Sequence, residues 1–504
     1  MTLAMVKNGA DPMNAGAAAP RRLSQLLGLK EAPDVWVRGI AIDSRRVRPG
    51  DLFAALPGSR HDGAAFIPDA VARGAVAVLA AEGAVDPAAL SVPVVTVPDP
   101  HRALAEIAAR FYGAQPERVV AVTGTNGKSS VVEFLRQLWA ARGLPAASIG
   151  TLGVRGIGEE LVSSGLTSPD ALTLHRLLAA LAEKGASRVA IEASSHGLAQ
   201  KRLDAVRLSA AAFTNLTRDH LDYHRTMEAY FYAKARLFGE LLRPGAPAVV
   251  VVEDEWGREM EMLAWGRGMR VLSIGAKGAD WRIADWRPLA GGQRARIGTA
   301  EGEGHEVTLP LIGRFQLVNA LVAAALMHLS EDVPVAEALA LLSGLRPVPG
   351  RIEHLGRTPA GGEVYLDYAH TPAGLEAVLE AVRPHAKGRI VIVFGCGGDR
   401  DPGKREMMGA IAARLADRVI VTDDNPRSED PAAIRRMVLA GAPGAREIGD
   451  RAEAIRAGLA MLGPGDVLLV TGKGHETGQI VGEDVLPFSD AAVVRAWLAE
   501  QGSG

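Results

Sequence analysis

The spacing of apolar and polar positions changes character twice along the chain. From Arg21 to Gln115, short apolar runs alternate with turn residues. "VRGIAIDSRRVRPGDLFAAL" reads as strands broken by turns, and "AVAVLAA" and "VPVVTV" add two more. "ERVVAVTG" opens a different rhythm. An apolar strand runs into a glycine turn, and "KSSVVEFLRQLWAARG" follows with helical spacing and a terminating Gly143. "SRVAIEAS", "SAAAFTNL" and "APAVVVVED" are further apolar strands separated by helical stretches, and "FQLVNALVAAALMHL" has the spacing of a helix packed on them. A third unit opens near "PVPGRIEHLG" and repeats the βα rhythm in "EVYLDYAH", "RIVIVFGCGG", "DRVIVTDDNP" and "DVLLVTGKGHE". Continuous apolar strands alternating with helices predict an α/β fold with mostly parallel sheets covered on both faces. The units expected are 21–115, 116–347 and 348–504, after an extension over 1–20.

Length supports that division, because 504 residues exceed what one hydrophobic core holds. The 48% hydrophobic and 23% charged composition is that of a soluble globular chain. A net charge of −2 gives no general electrostatic case for nucleic acid or an anionic membrane. No apolar run is long enough to span a bilayer, "PAVVVV" being strand-sized. The single Cys396 has no partner for an internal disulfide, which fits a reducing, cytoplasmic compartment. The Ala-, Gly- and Pro-rich first twenty residues read as a disordered terminus rather than a signal peptide.

Candidate chemistry gathers at the strand ends. In "TGTNGKSS", Gly124 and Gly127 flank Thr125 and Asn126 and let backbone N–H groups of the loop turn towards a phosphate. Lys128 supplies a charge, Ser129 a hydroxyl for Mg²⁺, and the following helix its N-terminal dipole. The compact spacing G-x-x-G-K-S replaces the usual longer loop. "IEASSHGLAQKR" places Glu192 at a strand end, suited to Mg²⁺ beside a phosphate loop, followed by Ser194, Ser195, His196, Gln200 and Arg202. A hydrolase pairing of serine and histidine is the weaker reading there, for want of a G-x-S-x-G elbow. "TNLTRDHLDYH" crowds Asp219, His220, Asp222 and His224. Its spacing fits magnesium shared with Ser129 and Glu192 better than structural zinc. Lys234 stands among aromatics in "EAYFYAKARLF", where local sequence alone favours a lysine snorkelling from a buried face. In the third unit, Arg400, Arg427 and Glu476 end or follow strands. Two carboxylate-binding forks and one ammonium-binding carboxylate suit an amino acid with more than one charged end.

Taken in order, "DSR", "TGTNGKSS", "EASSHGL", "FTNLTRDHLDYH", "YFYAKARLF", "GRFQLVNA", "PGRIE", "DYAHTP", "GCGGDRD", "DNPR" and "GKGHE" resemble the Mur ligase family, the ATP-dependent amide-forming enzymes of peptidoglycan precursor synthesis. The resemblance covers the chain from about Ile42 to Glu476. It implies a UDP-sugar-binding domain, a central ATPase domain and a C-terminal Rossmann-like domain for the incoming amino acid. It implies that ATP and Mg²⁺ are used to join meso-diaminopimelate to the D-Glu carboxylate of UDP-MurNAc-L-Ala-D-Glu through an acyl phosphate, in a cytoplasmic monomer. By the same resemblance, Ser44 contacts UDP with His61 nearby, and Thr167, Ser168, Ser194, Gln200 and Arg202 hold the muramyl dipeptide. Lys128 binds ATP phosphates, Ser129, Glu192 and His220 serve Mg²⁺, and Lys234 carries a carbamate. Asn319 meets adenine, with Gln316 standing where the family has asparagine, and Arg351, Asp367 and His370 close the site. Arg400, Asp424, Asn425, Pro426, Arg427, Gly472 and Glu476 take the amino acid. The family rivals are a lysine-adding ligase and folylpolyglutamate synthase, and the rival of another class is a non-catalytic nucleotide switch. Lysine has no second carboxylate for Arg427 to hold, which favours diaminopimelate.

Overall fold

The computed structural model describes residues 19–502 except 30–32, 59–61, 160, 162–165, 276–277, 301 and 303. Among the described residues, three sheets carry the architecture. The first has four parallel strands, Gly39–Ala41, Asp51–Ala55, Ala77–Ala81 and Val94–Val97, in sequence order. The second has ten strands. Its parallel centre runs Ala146–Gly150, Arg188–Glu192, Arg118–Thr123, Leu208–Phe213, Pro247–Val251, Arg270–Gly275 and Trp281–Leu289. Antiparallel strands extend both edges: Gly153–Gly156 on one side, Gly292–Gly298 and Gly304–Leu309 on the other. The third sheet runs Glu353–Arg357, Glu363–Asp367, Val467–Thr471, Ile390–Phe394, Arg418–Val421 and Arg446–Glu447, parallel after its first pair.

The strand pattern explains these layers. Val119, Val120, Ala121 and Val122 are all buried, so this strand is covered on both faces as its unbroken apolar run requires. On one face lie the helices Lys128–Ala141 and Arg314–Glu331; on the other, Ala171–Glu183, Ser195–Ala199 and Met227–Arg236. The helix Arg314–Glu331 is buried nearly all round, from Leu317 to Met327, as a helix without a polar stripe must be. The antiparallel edges are the part of the central sheet that the βα rhythm does not announce. Trp281–Leu289, where the parallel centre meets that edge, leaves Arg282, Asp285 and Arg287 exposed.

The parallel strands Arg118–Thr123, Arg188–Glu192 and Leu208–Phe213 end together, and so do Glu363–Asp367, Ile390–Phe394, Arg418–Val421 and Val467–Thr471. These two rows of carboxyl ends face one cavity. Residues 1–18 of the N-terminal extension, and His61, lie outside the described residues. Among the described residues, no helix is long and apolar enough to cross a membrane.

Candidate active site

The loop after Arg118–Thr123 is built around two glycines. Gly124 has φ +148°, and a Cβ there would lie 1.9 Å from the Thr214 hydroxyl. Gly127 has φ +90°, and its Cβ would lie 2.4 Å from Asn319 Oδ1. No side chain fits either place. Thr125 N donates to Asn215 O and Asn126 N to Asn215 Oδ1, each at 2.9 Å, so the next strand's end holds the loop. Lys128 Nζ folds back onto Gly124 O (2.9 Å) and Thr125 O (2.8 Å). Lys234 Nζ reaches the same Gly124 O from the helix Met227–Arg236 at 2.8 Å, and lies 4.4 Å from the centre of the Tyr230 ring. Lys234 is 1% exposed, so it does not snorkel. Burial first, and then the neighbouring Lys128 charge, depress its pKa well below the ordinary lysine value, which favours a neutral, nucleophilic amine.

Glu192 ends its strand fully buried. Thr151 donates to it twice, from its amide to Oε1 (2.8 Å) and from its hydroxyl to Oε2 (3.2 Å). Thr151 Oγ1 also accepts from the Thr167 hydroxyl at 3.1 Å. Ser168 Oγ donates to Glu192 O (2.7 Å) and accepts from Ser194 N (2.9 Å), while Ser194 Oγ caps the helix Ser195–Ala199 through Gly197 N. Arg202 donates from Nη1 to Ser168 O (2.7 Å) and grips Gln200 Oε1 with Nε and Nη2. The serine–histidine pairing of a hydrolase is not formed: Ser194 is committed to Ser168 and Gly197, and Ser195 Oγ is buried without a partner. His196 packs instead in a ring cluster with His220, Tyr223 and His224. Burial presses the His220 pKa down to about 3. Burial would raise that of Asp219, but a hydrogen bond from His370 and the charges of His220 and Lys404 outweigh it and hold the group well below the usual carboxylate range.

The third sheet supplies the opposite wall. Arg351 crosses to the first turn of the helix Lys128–Ala141, where Nη2 donates to Ser129 Oγ at 3.1 Å, and its guanidinium lies over the Tyr368 ring at 4.4 Å. Asp367 is buried and accepts from Ile352 N and Ala369 N, each at 2.7 Å, so it fixes the two segments that carry Arg351 and His370. Arg427 adopts φ +53°, a left-handed conformation that costs a non-glycine residue about 1–3 kcal/mol. It is held there by Arg427 N donating to Ile480 O (3.1 Å) and Gly482 N donating to Arg427 O (2.7 Å). Its Nη1 donates to Gly398 O at 2.7 Å. Arg218 Nε and Asp401 pair across the sheets at 2.9 Å.

One cavity of about 280 Å³ joins these groups. It is lined by Thr125, Asn126, Gly127, Lys128, Ser129, Thr167, Glu192, Ser194 and His220 from the central unit, and by Arg351, His370, Arg400, Asp424, Asn425, Arg427, Gly472 and Glu476 from the third. Lys234, Gly124, Ser168, Gln200, Arg202, Asp367 and Pro426 lie outside its lining. Ser44 sits apart on the first unit, buried, with its hydroxyl bonded to Asp69. Sequence reasoning missed Thr151, Tyr368 and Lys404, which line the cavity together with Asp219. Only the "DRDPGKRE" string hinted at Lys404. Asn319 lines a second cavity of about 490 Å³, walled by Trp286, Phe315, Val251 and Val318 and reached by Asn215 and Arg314. Asn319 Nδ2 donates to Gln316 Oε1 at 3.2 Å. Among the described residues, no three His, Cys, Asp or Glu side chains gather as a metal cage.

Comparison with known proteins assigns this arrangement. Residues 37–112 match the profile "Mur ligase family, catalytic domain", 122–327 "Mur ligase middle domain" and 350–474 "Mur ligase, glutamate ligase domain". A UDP-N-acetylmuramoyl-L-alanyl-D-glutamate–2,6-diaminopimelate ligase of Chelativorans sp. (strain BNC1) is 52% identical over 93% of this chain and 96% of its own. The protein of the same name from Rhizobium meliloti (strain 1021) is 52% identical over 96% and 98%. The chain belongs to the Mur ligase family. Its members are ATP-dependent ligases, and the fold agrees with a solved ligase of that same name, 31% identical, with TM-score 0.68 over 96% of this chain and 100% of the other. The fold of a MurF ligase from Thermotoga maritima in complex with ADP is also shared, at 20% identity and TM-score 0.61 over 92% and 97%. All three Mur ligase profiles therefore fall on the three sheets described above.

Proposed function

We propose that this chain joins 2,6-diaminopimelate, as its meso isomer, to the D-glutamyl carboxylate of UDP-MurNAc-L-Ala-D-Glu, with ATP converted to ADP and phosphate. The observation that carries this reading is the single cavity that sets Lys128 and Ser129 of the phosphate loop opposite Arg400, Arg427 and Glu476. A carboxylate is a poor electrophile, so it must first be activated. Its oxygen attacks the γ-phosphorus and ADP leaves, giving an acyl phosphate. The amine of diaminopimelate then attacks the carbonyl carbon, phosphate leaves, and the nitrogen loses a proton to form the amide. Lys128, the Gly127 and Lys128 amides and Arg351 neutralise charge on the transferring group. Thr167, Ser168, Ser194, Gln200 and Arg202 orient the peptide, with Ser44 and His61 at the UDP end. Positioning of this kind is worth about 7–11 kcal/mol.

The donors Ser129 Oγ, Glu192 and His220 on one cavity suit Mg²⁺, which keeps several waters and leans on substrate phosphates rather than on a full protein cage. Bound there, the ion would supply charge neutralisation for the phosphates. Lys234 fits a carbamate, because its buried, deprotonation-prone amine is the form that adds carbon dioxide. The second cavity, with Asn319 at its edge and Trp286 and Phe315 as walls, suits the adenine ring.

An amino-acid panel tests the reading. ADP release should require both the UDP-muramyl dipeptide and diaminopimelate, and L-lysine should be a poor substitute. Release without either co-substrate would favour the nucleotide switch, and equal use of lysine would favour the lysine-adding member.

A further inference from the structure

Lys473 lies just past the strand Val467–Thr471 and does not line the 280 Å³ cavity. Its side chain is 0% exposed, yet it ends in a charge. The ammonium donates to Asn425 Oδ1 at 2.9 Å and to Glu476 Oε2 at 3.0 Å. Asn425 Nδ2 donates to the same Glu476 Oε2 at 3.0 Å, and Ile480 N donates to Asn425 Oδ1 at 3.0 Å. These four bonds fix which way the Asn425 amide points and commit one carboxylate oxygen of Glu476 to the protein. The other, Oε1, is left for a ligand, and Glu476 is 31% exposed where it lines the cavity.

A buried lysine is costly unless something requires its charge. The requirement lies in the company Glu476 keeps. Arg427 and Arg400 line the same cavity, and the charges of Arg427 and Glu476 act on one another. An unanchored carboxylate there would swing onto a guanidinium, and the two recognition groups would cancel. A cation placed behind Glu476 opposes that collapse without occupying the cavity.

We infer that Lys473 is a positioning residue for the amino-acid site. By anchoring Glu476 Oε2 it leaves Oε1 to receive the distal ammonium of diaminopimelate, and leaves Arg400 and Arg427 free for the distal carboxylate. The inference rests on the substrate reading above.

The test compares diaminopimelate with 2-aminopimelate, which keeps the distal carboxylate and lacks the distal amine. Wild type should prefer diaminopimelate in kcat/KM by on the order of a hundredfold. Lys473→Met fills the stem volume without the charge and should cut that preference to about tenfold or less, through the KM for diaminopimelate. The values for 2-aminopimelate and ATP should stay within about threefold. Lys473→Gln, read the same way, keeps a donor and should fall between. Added to Glu476→Gln, Lys473→Met should lower the preference no further. A folded variant that slows both amino acids by one factor, or failure of both variants to fold, makes Lys473 a structural residue and overturns the inference. If wild type uses neither amino acid, the substrate reading itself fails and the inference goes with it.

Discussion

At the residue scale the site is a set of charges whose neighbours decide what they can do. Arg427 is the clearest case. Its left-handed backbone is tied to Ile480 and Gly482, and its side chain to Gly398, so the guanidinium is presented ready-made. Removing one partner of a charge-assisted pair costs about 1.4–4 kcal/mol, so Arg427→Ala should raise the KM for diaminopimelate about ten- to a thousandfold and leave the KM for ATP alone. Arg427→Lys should rescue poorly, because an ammonium lacks the fork. Steady-state kinetics with each substrate varied in turn checks both. Lys234 makes a second prediction. Lys234→Ala should lower kcat by about a hundredfold or more, and short carboxylic acids should restore part of it by replacing the carbamate oxygens. An Ala variant with full activity would return Lys234 to a packing role.

At the scale of elements, the phosphate loop is specified by what crowds it. A Cβ on Gly127 would collide with Asn319 Oδ1 from the helix Arg314–Glu331, and the positive φ already disfavours any side chain. Gly127→Ala should therefore weaken nucleotide binding by about tenfold or more, measured by calorimetry with ADP, while the fold survives. The strand–loop–helix order of this element was legible because its periodicity switches from continuous apolar to helical at the glycines. Hidden from the pattern was the hairpin pair Trp281–Leu289 and Gly292–Gly298, although Gly291 and Gly292 mark its turn. Its polar, exposed positions, such as Asp285 and Arg287, do not look like strands of the parallel core.

At the scale of the molecule, several contacts join the central and C-terminal sheets across the cavity, among them Arg351 to Ser129 and Arg218 to Asp401. Arg218→Ala removes a half-exposed partner, so kcat should fall only about two- to tenfold, with binding to the first unit unchanged. Acid stability is also a property of the whole. His175 is fully buried on the helix Ala171–Glu183, its Nε2 against Asp204 O at 2.9 Å, and burial presses its pKa from 6.5 down to about 4. Below pH 6.5 the unfolded chain takes up a proton that the folded chain refuses. Stability should therefore drop as pH falls from about 6.5 to 4, by up to about 3 kcal/mol from this group. Urea titrations at pH 7 and pH 5 on wild type and His175→Phe should show a shallower pH dependence in the variant.

The sequence by itself determined the α/β class, the parallel rhythm and the glycine loop between the strand Arg118–Thr123 and the helix Lys128–Ala141. These follow from local periodicity and from backbone freedom at single glycines, which need no knowledge of distant neighbours. It also placed Arg400, Arg427 and Glu476 at strand ends. Only the tertiary structure decided which of the named residues share one cavity, because Lys128 and Arg427 are about 300 positions apart in the chain and meet only when two sheets face each other. It also decided the state of Lys234. Local sequence favours a snorkelling lysine, but packing buries the amine against Gly124 O beside Lys128, and both neighbours come from a part of the chain about a hundred positions away. Lys473 was invisible for the same reason: a lysine in a glycine-rich loop reads as solvated until the fold closes over it and gives it Glu476 and Asn425 as partners.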